Sequence, residues 1–260
     1  MPETPLVAAW SAVAPGYLDY WIPRFRPYLD EALEAFDERL RRPGELVVPG
    51  CGPGEEVVAL ARRHPDRRLV ALDPSGPMLE LLRARLAREG LAERVRVLQS
   101  PAEATSAHVQ GAAGLFSSFT LQLLDRPIEA LADWARTLCP GGVASILFWP
   151  RQDPESPWGR LRASIEAEGG AWGVDWEAAC RAELARIDMA HTGDAILRHP
   201  MRHASAQEAW DRLVDACSLQ ATARRLGSEA MARCRERWLA GRAEGPLEHH
   251  PVARLWSFTR

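Results

Sequence analysis

Three glycines, Gly50, Gly52 and Gly54, alternate within the stretch VVPGCGPGEE, between the apolar run Leu46 to Val48 and a helix-like run Val57 to Arg63. Glycines at a strand-to-helix junction let backbone N–H groups approach a ligand, and the helix N-terminus behind them favours an anion. A dinucleotide fingerprint, G-x-G-x-x-G, counted from Gly50 and Gly52 needs glycine at position 55, where Glu55 stands; counted from Gly52 and Gly54 it lands on Val57. Glu55 and Glu56 would complement the dipole of the helix they open, but they would repel a pyrophosphate. A nucleoside with a weaker anion suits the loop better. Asp73 closes the next apolar run, and a carboxylate there can accept both hydrogen bonds of a ribose diol.

These residues need a scaffold, and the pattern supplies one. Apolar residues Phe25, Leu29, Leu33, Phe36 and Leu40 recur at helical spacing before Pro43-Gly44 breaks the chain. Short apolar runs at Leu46 to Val48, Leu69 to Leu72, Val95 to Leu98, Ala113 to Phe119 and Val143 to Trp149 read as strands. Helices are expected between them: Pro53 to Arg63, a helix capped by Ser75 and carrying Met78, Leu79, Leu82 and Leu86, and a helix around Trp134 that ends at Pro140-Gly141-Gly142. Such alternation predicts an α/β fold, a doubly wound and mostly parallel sheet covered on both faces. Beyond Pro150 a weak strand is expected near Ala195 to Arg198, helices around Trp210-Leu213-Val214 and Met231-Cys234-Trp238, and a last strand over Val252 to Phe258.

In this setting the chain resembles the class I S-adenosylmethionine-dependent methyltransferases, in particular their small-molecule (type 11, ubiquinone-biosynthesis-like) branch. The resemblance covers about residues 45 to 150 and is carried in order by ELVVPGCGPG, LVALDPSGPML, VLQSPAE, LFSSFTLQLLDRP and LCPGGVASILFW. It implies S-adenosyl-L-methionine as cofactor and methyl transfer to an oxygen, nitrogen or carbon of a small molecule, including the compounds of secondary metabolism. Gly50, Gly52 and Gly54 would admit the methionine part of the cofactor, Asp73 would bind the ribose, and Met78, Ala102 and Glu103 would surround adenine. Ser117 would lie beside the sulfonium, and Tyr17 would reach the cofactor from an N-terminal segment that closes over it. The resemblance further implies four parts: a helical cover over 1–42, the cofactor-binding core over 43–150, a helical substrate cap over 151–200, and C-terminal helices with a sheet-completing strand over 201–260.

One departure stands out. Where the family usually carries Asp or Glu, this chain has Val48. Either another group takes over the contact to the methionine part, or the fold binds a ligand without transferring methyl. A nicotinamide oxidoreductase is the least favoured alternative, because of Glu55. His191, His199 and His203 follow the expected cap and one could act as a general base, although a structural role is expected for each, so the pattern fixes no catalytic base.

Gln122 falls where relatives place a polar residue facing substrate, and Tyr20, Trp149 and Trp172 are further candidates for substrate contact. Trp149, Trp158, Trp172 and Trp176 read either as the core of a helical cap or as a lining for an apolar or aromatic acceptor. The pair His249-His250 reads as solvated.

Composition bounds the rest. In 260 residues with a net charge of -3, all basic side chains are arginine and they are spread along the chain, which argues against a nucleic-acid partner. The five cysteines form no metal-ligand spacing and no disulfide framework, so no metal site is expected and a reducing, cytoplasmic setting is. No apolar run is long enough for a membrane span, and a monomer or a homodimer is expected.

Overall fold

The computed structural model describes residues 4–170, 176–183, 186–217, 219–242 and 244–260. Trp172 lies outside the described residues. The chain divides into two units. One comprises Pro27–Pro150, Asp175–Leu197 and Ala253–Arg260; the other comprises Met1–Arg26, Arg151–Val174 and Arg198–Val252.

The first unit is built on a seven-stranded sheet. Its strands are β1 (Leu46–Pro49), β2 (Leu69–Asp73), β3 (Val95–Gln99), β4 (Ala112–Ser118), β5 (Leu138–Phe148), β6 (Ala190–Arg198) and, numbered last in the chain, β9 (Val252–Thr259). Their order is β3-β2-β1-β4-β5-β9-β6. β1 to β5 run parallel to their neighbours and β9 pairs antiparallel with β5. The strand order reverses between β1 and β4, which is where an open sheet of this kind leaves a crevice at its carboxyl edge.

The apolar runs explain the sheet. β1 and β2 are buried along their whole length, as strands covered on both faces must be. Each Leu or Val so buried contributes roughly 1.5–3 kcal/mol relative to exposure. Helices α2 (Ile22–Asp37), α3 (Glu55–Arg63), α4 (Gly76–Arg88) and α5 (Pro127–Thr137) are the connections and covers. Trp134 of α5 is fully buried and its indole N–H donates to the Ala102 carbonyl at 2.8 Å. Phe36 of α2 meets Phe116 of β4 edge-on, with centroids 5.6 Å apart. Gly114 makes this contact possible, since a Cβ there would sit 2.6 Å from the Phe36 ring.

Three expectations need correction. The helix after β1 starts at Glu55, not Pro53: Gly54 takes a left-handed φ of 82° and breaks the helical run before it. The helix around Trp134 ends at Thr137, and β5 begins at once. Leu138 pairs with Ala112, and the ladder then shifts to Gly114 opposite Val143, so Pro140-Gly141-Gly142 forms an irregularity within the strand. The C-terminal Arg260 holds that irregularity, accepting from Gly141 N–H at 2.6 Å and donating to Gly142 at 3.0 Å.

The second unit is mainly helical: α1 (Pro5–Gly16), α6 (Pro157–Glu166), α8 (Ala206–Asp215), α9 (Leu219–Leu226) and α10 (Ser228–Leu239). A short antiparallel ribbon joins β7 (Met201–His203) to β8 (Leu247–His249). Trp238 of α10 donates to Ala206 at 2.8 Å, and Cys234 lies 3.2 Å from the Ser164 carbonyl. The remaining helix, α7 (Trp176–Glu183), belongs to the sheet unit.

Candidate functional site

At the carboxyl end of β1 the chain turns through Gly50 (φ 68°), Gly52 (φ 48°) and Gly54 (φ 82°), a left-handed sequence that L side chains rarely adopt. Two of these glycines are also enclosed. A Cβ on Gly50 would overlap Thr120 at 2.3 Å, and one on Gly54 would overlap Leu82 at 2.1 Å. Gly52 differs, because nothing lies within 4 Å of where its Cβ would be. The loop is thus packed on two of its glycines and open on the third, the face a ligand can approach.

Asp73, at the end of β2, is bound to that loop. Its Oδ2 accepts the Gly52 N–H at 2.9 Å and its Oδ1 accepts the Ser75 N–H at 2.9 Å. Burial pushes its pKa up to about 6, against the pull of those two amides. Each carboxylate oxygen keeps a second lone pair, so a vicinal diol can still be received. Ser75 caps α4 as its sequence predicts, accepting the Met78 amide at 3.3 Å, and places Met78 in the buried first turn of that helix.

The two glutamates that open α3 are both buried and have different partners. Glu55 pairs with Arg85 at 2.6 Å, and Arg85 also donates to the Pro53 carbonyl at 3.2 Å, so one guanidinium braces the loop. Glu56 accepts the Ser118 hydroxyl at 2.8 Å. Burial raises the Glu56 pKa to about 7, opposed by the helix amide and by Ser118. From sequence both residues looked like ordinary first-turn acids; only the packing of α3 against the ends of β1 and β4 shows that they turn inward.

β4 ends differently for its two serines. Ser117 is fully buried and donates to the Pro49 carbonyl at 3.2 Å, whereas Ser118 is half-buried and serves Glu56. The next residue, Phe119, has φ 53°, the one left-handed non-glycine among the described residues. That backbone stacks the Phe119 ring on Trp149 at 4.4 Å, and Tyr28 meets Trp149 edge-on at 5.1 Å. Phe119 and Tyr28 escaped the sequence reading, since neither a strained backbone nor a long-range stack leaves a local signal. Gln122 donates to the Phe119 carbonyl at 2.8 Å, and its Oε1 is buried without a hydrogen-bond partner. Ala102 is buried, its carbonyl spent on Trp134 and Thr105, and Glu103 beside it is partly exposed.

Trp176 packs on Phe148 at 4.8 Å and on Trp256 at 5.9 Å, within the sheet unit. Trp158 meets His249 at 5.7 Å in the helical unit. The tryptophans expected as one cap cluster therefore divide between two units. Tyr17, half-buried between Trp10 and Phe25, and Tyr20, buried, both belong to the helical unit. His249 was expected in solvent, but it is buried, its Nε2 lying 3.2 Å from that of His203; only His250 is exposed. Period-two alternation in β8 turns one histidine of the pair inward. Among the described residues no cluster of His, Cys, Asp or Glu could hold a metal ion.

The comparisons with known proteins agree with this geometry. The methyltransferase-domain family matches residues 48–142, from Val48 to the turn within β5. The trans-aconitate 2-methyltransferase of Variovorax paradoxus is 29% identical over 216 residues, covering 74% of this chain and 78% of the relative. Over residues 48–142 the chain carries a methyltransferase domain, similar to those of the class I S-adenosylmethionine-dependent methyltransferases. The enzyme of the same name from Streptomyces avermitilis is 28% identical over 75% of this chain and 69% of its own length. Among solved structures, the YcgJ protein of Bacillus subtilis aligns with a TM-score of 0.63 at 14% identity, over 89% of this chain and 97% of that one. A geranyl diphosphate C-methyltransferase from Streptomyces coelicolor A3(2), solved with S-adenosyl-L-homocysteine, aligns with a TM-score of 0.56 at 16% identity, over 89% of this chain and 75% of that one. The protein is an enzyme whose cofactor is S-adenosyl-L-methionine, and methyl transfer, not hydride transfer, is its chemistry. The residues present fit that cofactor: an open glycine, a carboxylate able to take a diol, and a second buried carboxylate, Glu56 at the start of α3, held by Ser118. No helix among the described residues is long and apolar enough to cross a membrane.

Proposed function

We propose that this methyltransferase holds the methionine part of its cofactor along Gly50, Gly52 and Gly54, receives the ribose hydroxyls on Asp73, and sets Met78, Ala102 and Glu103 around adenine. The observation that carries this reading is the Asp73 carboxylate, tied by Gly52 to the open face of the loop. When bound, the cofactor supplies an electrophilic methyl group on a sulfonium, and the protein's part is alignment and exclusion of water. Ser117 acts through shape, fixing the end of β4 against Pro49.

The acceptor we infer is a small molecule with an apolar or aromatic part, presented at the carboxyl ends of β4 and β5, where Phe119, Trp149 and Tyr28 offer aromatic surface. Gln122, with its bare Oε1 beside that surface in the chain, would orient the acceptor. A second reading, a small organic acid methylated on a carboxylate oxygen, is favoured by the names of the relatives. A carboxylate nucleophile needs no base, which agrees with a sequence that fixes none. Labelled S-adenosylmethionine tested with a panel of aromatic acceptors and of aliphatic di- and tricarboxylic acids separates the two. Transfer confined to the aliphatic acids would overturn the aromatic reading. The cysteine spacing, with no C-x-x-C pair, suits a reducing compartment, and we place the enzyme in the cytoplasm.

A further inference from the structure

The family's usual acid at the end of the first strand is absent, and Val48 in its place is wholly buried. An S-adenosylmethionine site nevertheless has to receive an ammonium group, a cation that is costly to desolvate without an anion. The carboxylates near the glycine loop can be sorted by what already occupies them. Asp73 is engaged by two backbone amides. Glu55 is neutralised by Arg85. Glu56 is 5% exposed and its Oε1 accepts the Ser118 hydroxyl. Its own helix amide also bonds the carboxylate, and Arg85, whose direct ion pair is with Glu55, acts on its charge from further away. A carboxylate this buried, with no direct ion pair of its own among the described residues, is favoured by a ligand that brings positive charge.

We infer that Glu56 stands in for the missing acid at Val48: it is the group that receives the cofactor's α-ammonium, with Ser118 holding it in place. The geometry favours this, because α3 begins directly at the glycine loop and the Ser118 contact ties its first turn to the end of β4. Burial raises the Glu56 pKa to about 7, so near neutral pH the protonated form competes with the carboxylate, and an arriving ammonium favours the carboxylate. Glu56 thereby discriminates between ligands with and without the amino-acid end. The inference rests on the S-adenosylmethionine reading of the loop.

The test compares two ligands by calorimetry: S-adenosylhomocysteine, which carries the ammonium, and 5′-methylthioadenosine, which has the same nucleoside and thioether but lacks it. Glu56→Gln should weaken S-adenosylhomocysteine at least about tenfold, equivalent to ~1.4 kcal/mol, and leave 5′-methylthioadenosine unchanged. Unchanged binding of the nucleoside also shows that the variant has folded. Adding Val48→Asp to Glu56→Gln should restore part of the lost affinity. Equal loss of both ligands, or no loss of either, overturns the role of Glu56. If the unaltered protein binds neither ligand, the cofactor reading itself fails, an outcome distinct from the other two.

Discussion

Asp73 accepts the amide of Gly52 at 2.9 Å, a bond that joins the end of β2 to the one glycine of the loop with open space beside it. The same carboxylate therefore shapes the loop and is left able to receive the ribose. Asp73→Ala removes both functions. With about 1.5–3 kcal/mol for each charge-assisted hydrogen bond to the diol, S-adenosylhomocysteine binding should fall by two orders of magnitude or more. Asp73→Asn keeps acceptor capacity on one atom and should lose less. Calorimetry on both variants measures this, and equal affinity of Asp73→Ala and the parent would remove Asp73 from the site.

The two buried carboxylates set a pH dependence. Asp73 is raised from 3.8 to about 6, and Glu56 from 4.5 to about 7, in each case chiefly by burial. Both hold protons more tightly folded than unfolded. Their contribution to stability is thus complete below about pH 4 and is lost as pH rises through 6 and 7. Ligand binding has the opposite sign, because diol and ammonium both favour the ionised forms. S-adenosylhomocysteine affinity should increase from about pH 5.5 to about pH 8, with proton release on binding near neutrality. Titrations in buffers of different ionisation enthalpy count those protons; a flat profile would mean that neither group changes charge.

The geometry of the glycine loop was legible because its information is local: alternating glycines, an acid closing the next strand, and Ser75 before a helix. The same holds for the strands, whose apolar runs are uninterrupted. What escaped was set by distance in sequence. Glu56 reads as a dipole-complementing acid until α3 is placed against Ser118, which is far along the chain. The start of β5 was hidden because Pro140-Gly141-Gly142 normally ends structure, and here Arg260 pairs with it from the far end of the chain. His249 looked solvated because only pairing of β8 with β7 decides which residue of the pair turns inward.

Gly114 tests how α2 is seated on the sheet. A methyl group there would lie 2.6 Å from the Phe36 ring and 3.0 Å from Leu40. Phe36 is wholly buried, so Gly114→Ala is an overpacking change that should cost about 1–3 kcal/mol. Thermal unfolding would show a lowered midpoint, and pairing it with Phe36→Leu should recover part of the loss. Additive losses would contradict direct contact.

Phe119 offers a way to separate acceptor binding from stability. Its φ of 53° is unfavourable for a side chain and is held by the stack on Trp149 and by its amide bond to Leu147. In Phe119→Gly the backbone relief, of order 1–3 kcal/mol, works against the loss of ring packing, so the net change in stability should be small. The aromatic surface is gone, however. Once an acceptor is in hand, its KM should rise several-fold while S-adenosylhomocysteine binding stays constant. A variant with unchanged KM would exclude Phe119 from the acceptor's surroundings.

In the helical unit, Tyr20, His203 and His249 form a buried relay. The Tyr20 oxygen lies 2.7 Å from His203 Nδ1, and the two histidine Nε2 atoms are 3.2 Å apart. Burial raises the Tyr20 pKa to about 12, so the phenol keeps its proton, with Glu208 also hydrogen-bonded to it. Between the two Nε2 atoms one ring donates and the other accepts, an arrangement that two imidazolium rings cannot satisfy. Burial, with Arg24 nearby, lowers His203 to about 4, and burial, with His203 itself, lowers His249 to about 3. These groups bind fewer protons folded than unfolded. Their contribution is present above about pH 6.5 and is lost as pH falls through 4 and 3, the reverse of the carboxylates in the sheet unit. Histidine ring resonances followed by NMR should show neither residue titrating above about pH 5. Tyr20→Phe leaves His203 Nδ1 without its buried partner and should cost about 1–3 kcal/mol of stability; a ring of either histidine titrating near pH 6.5 would refute the relay.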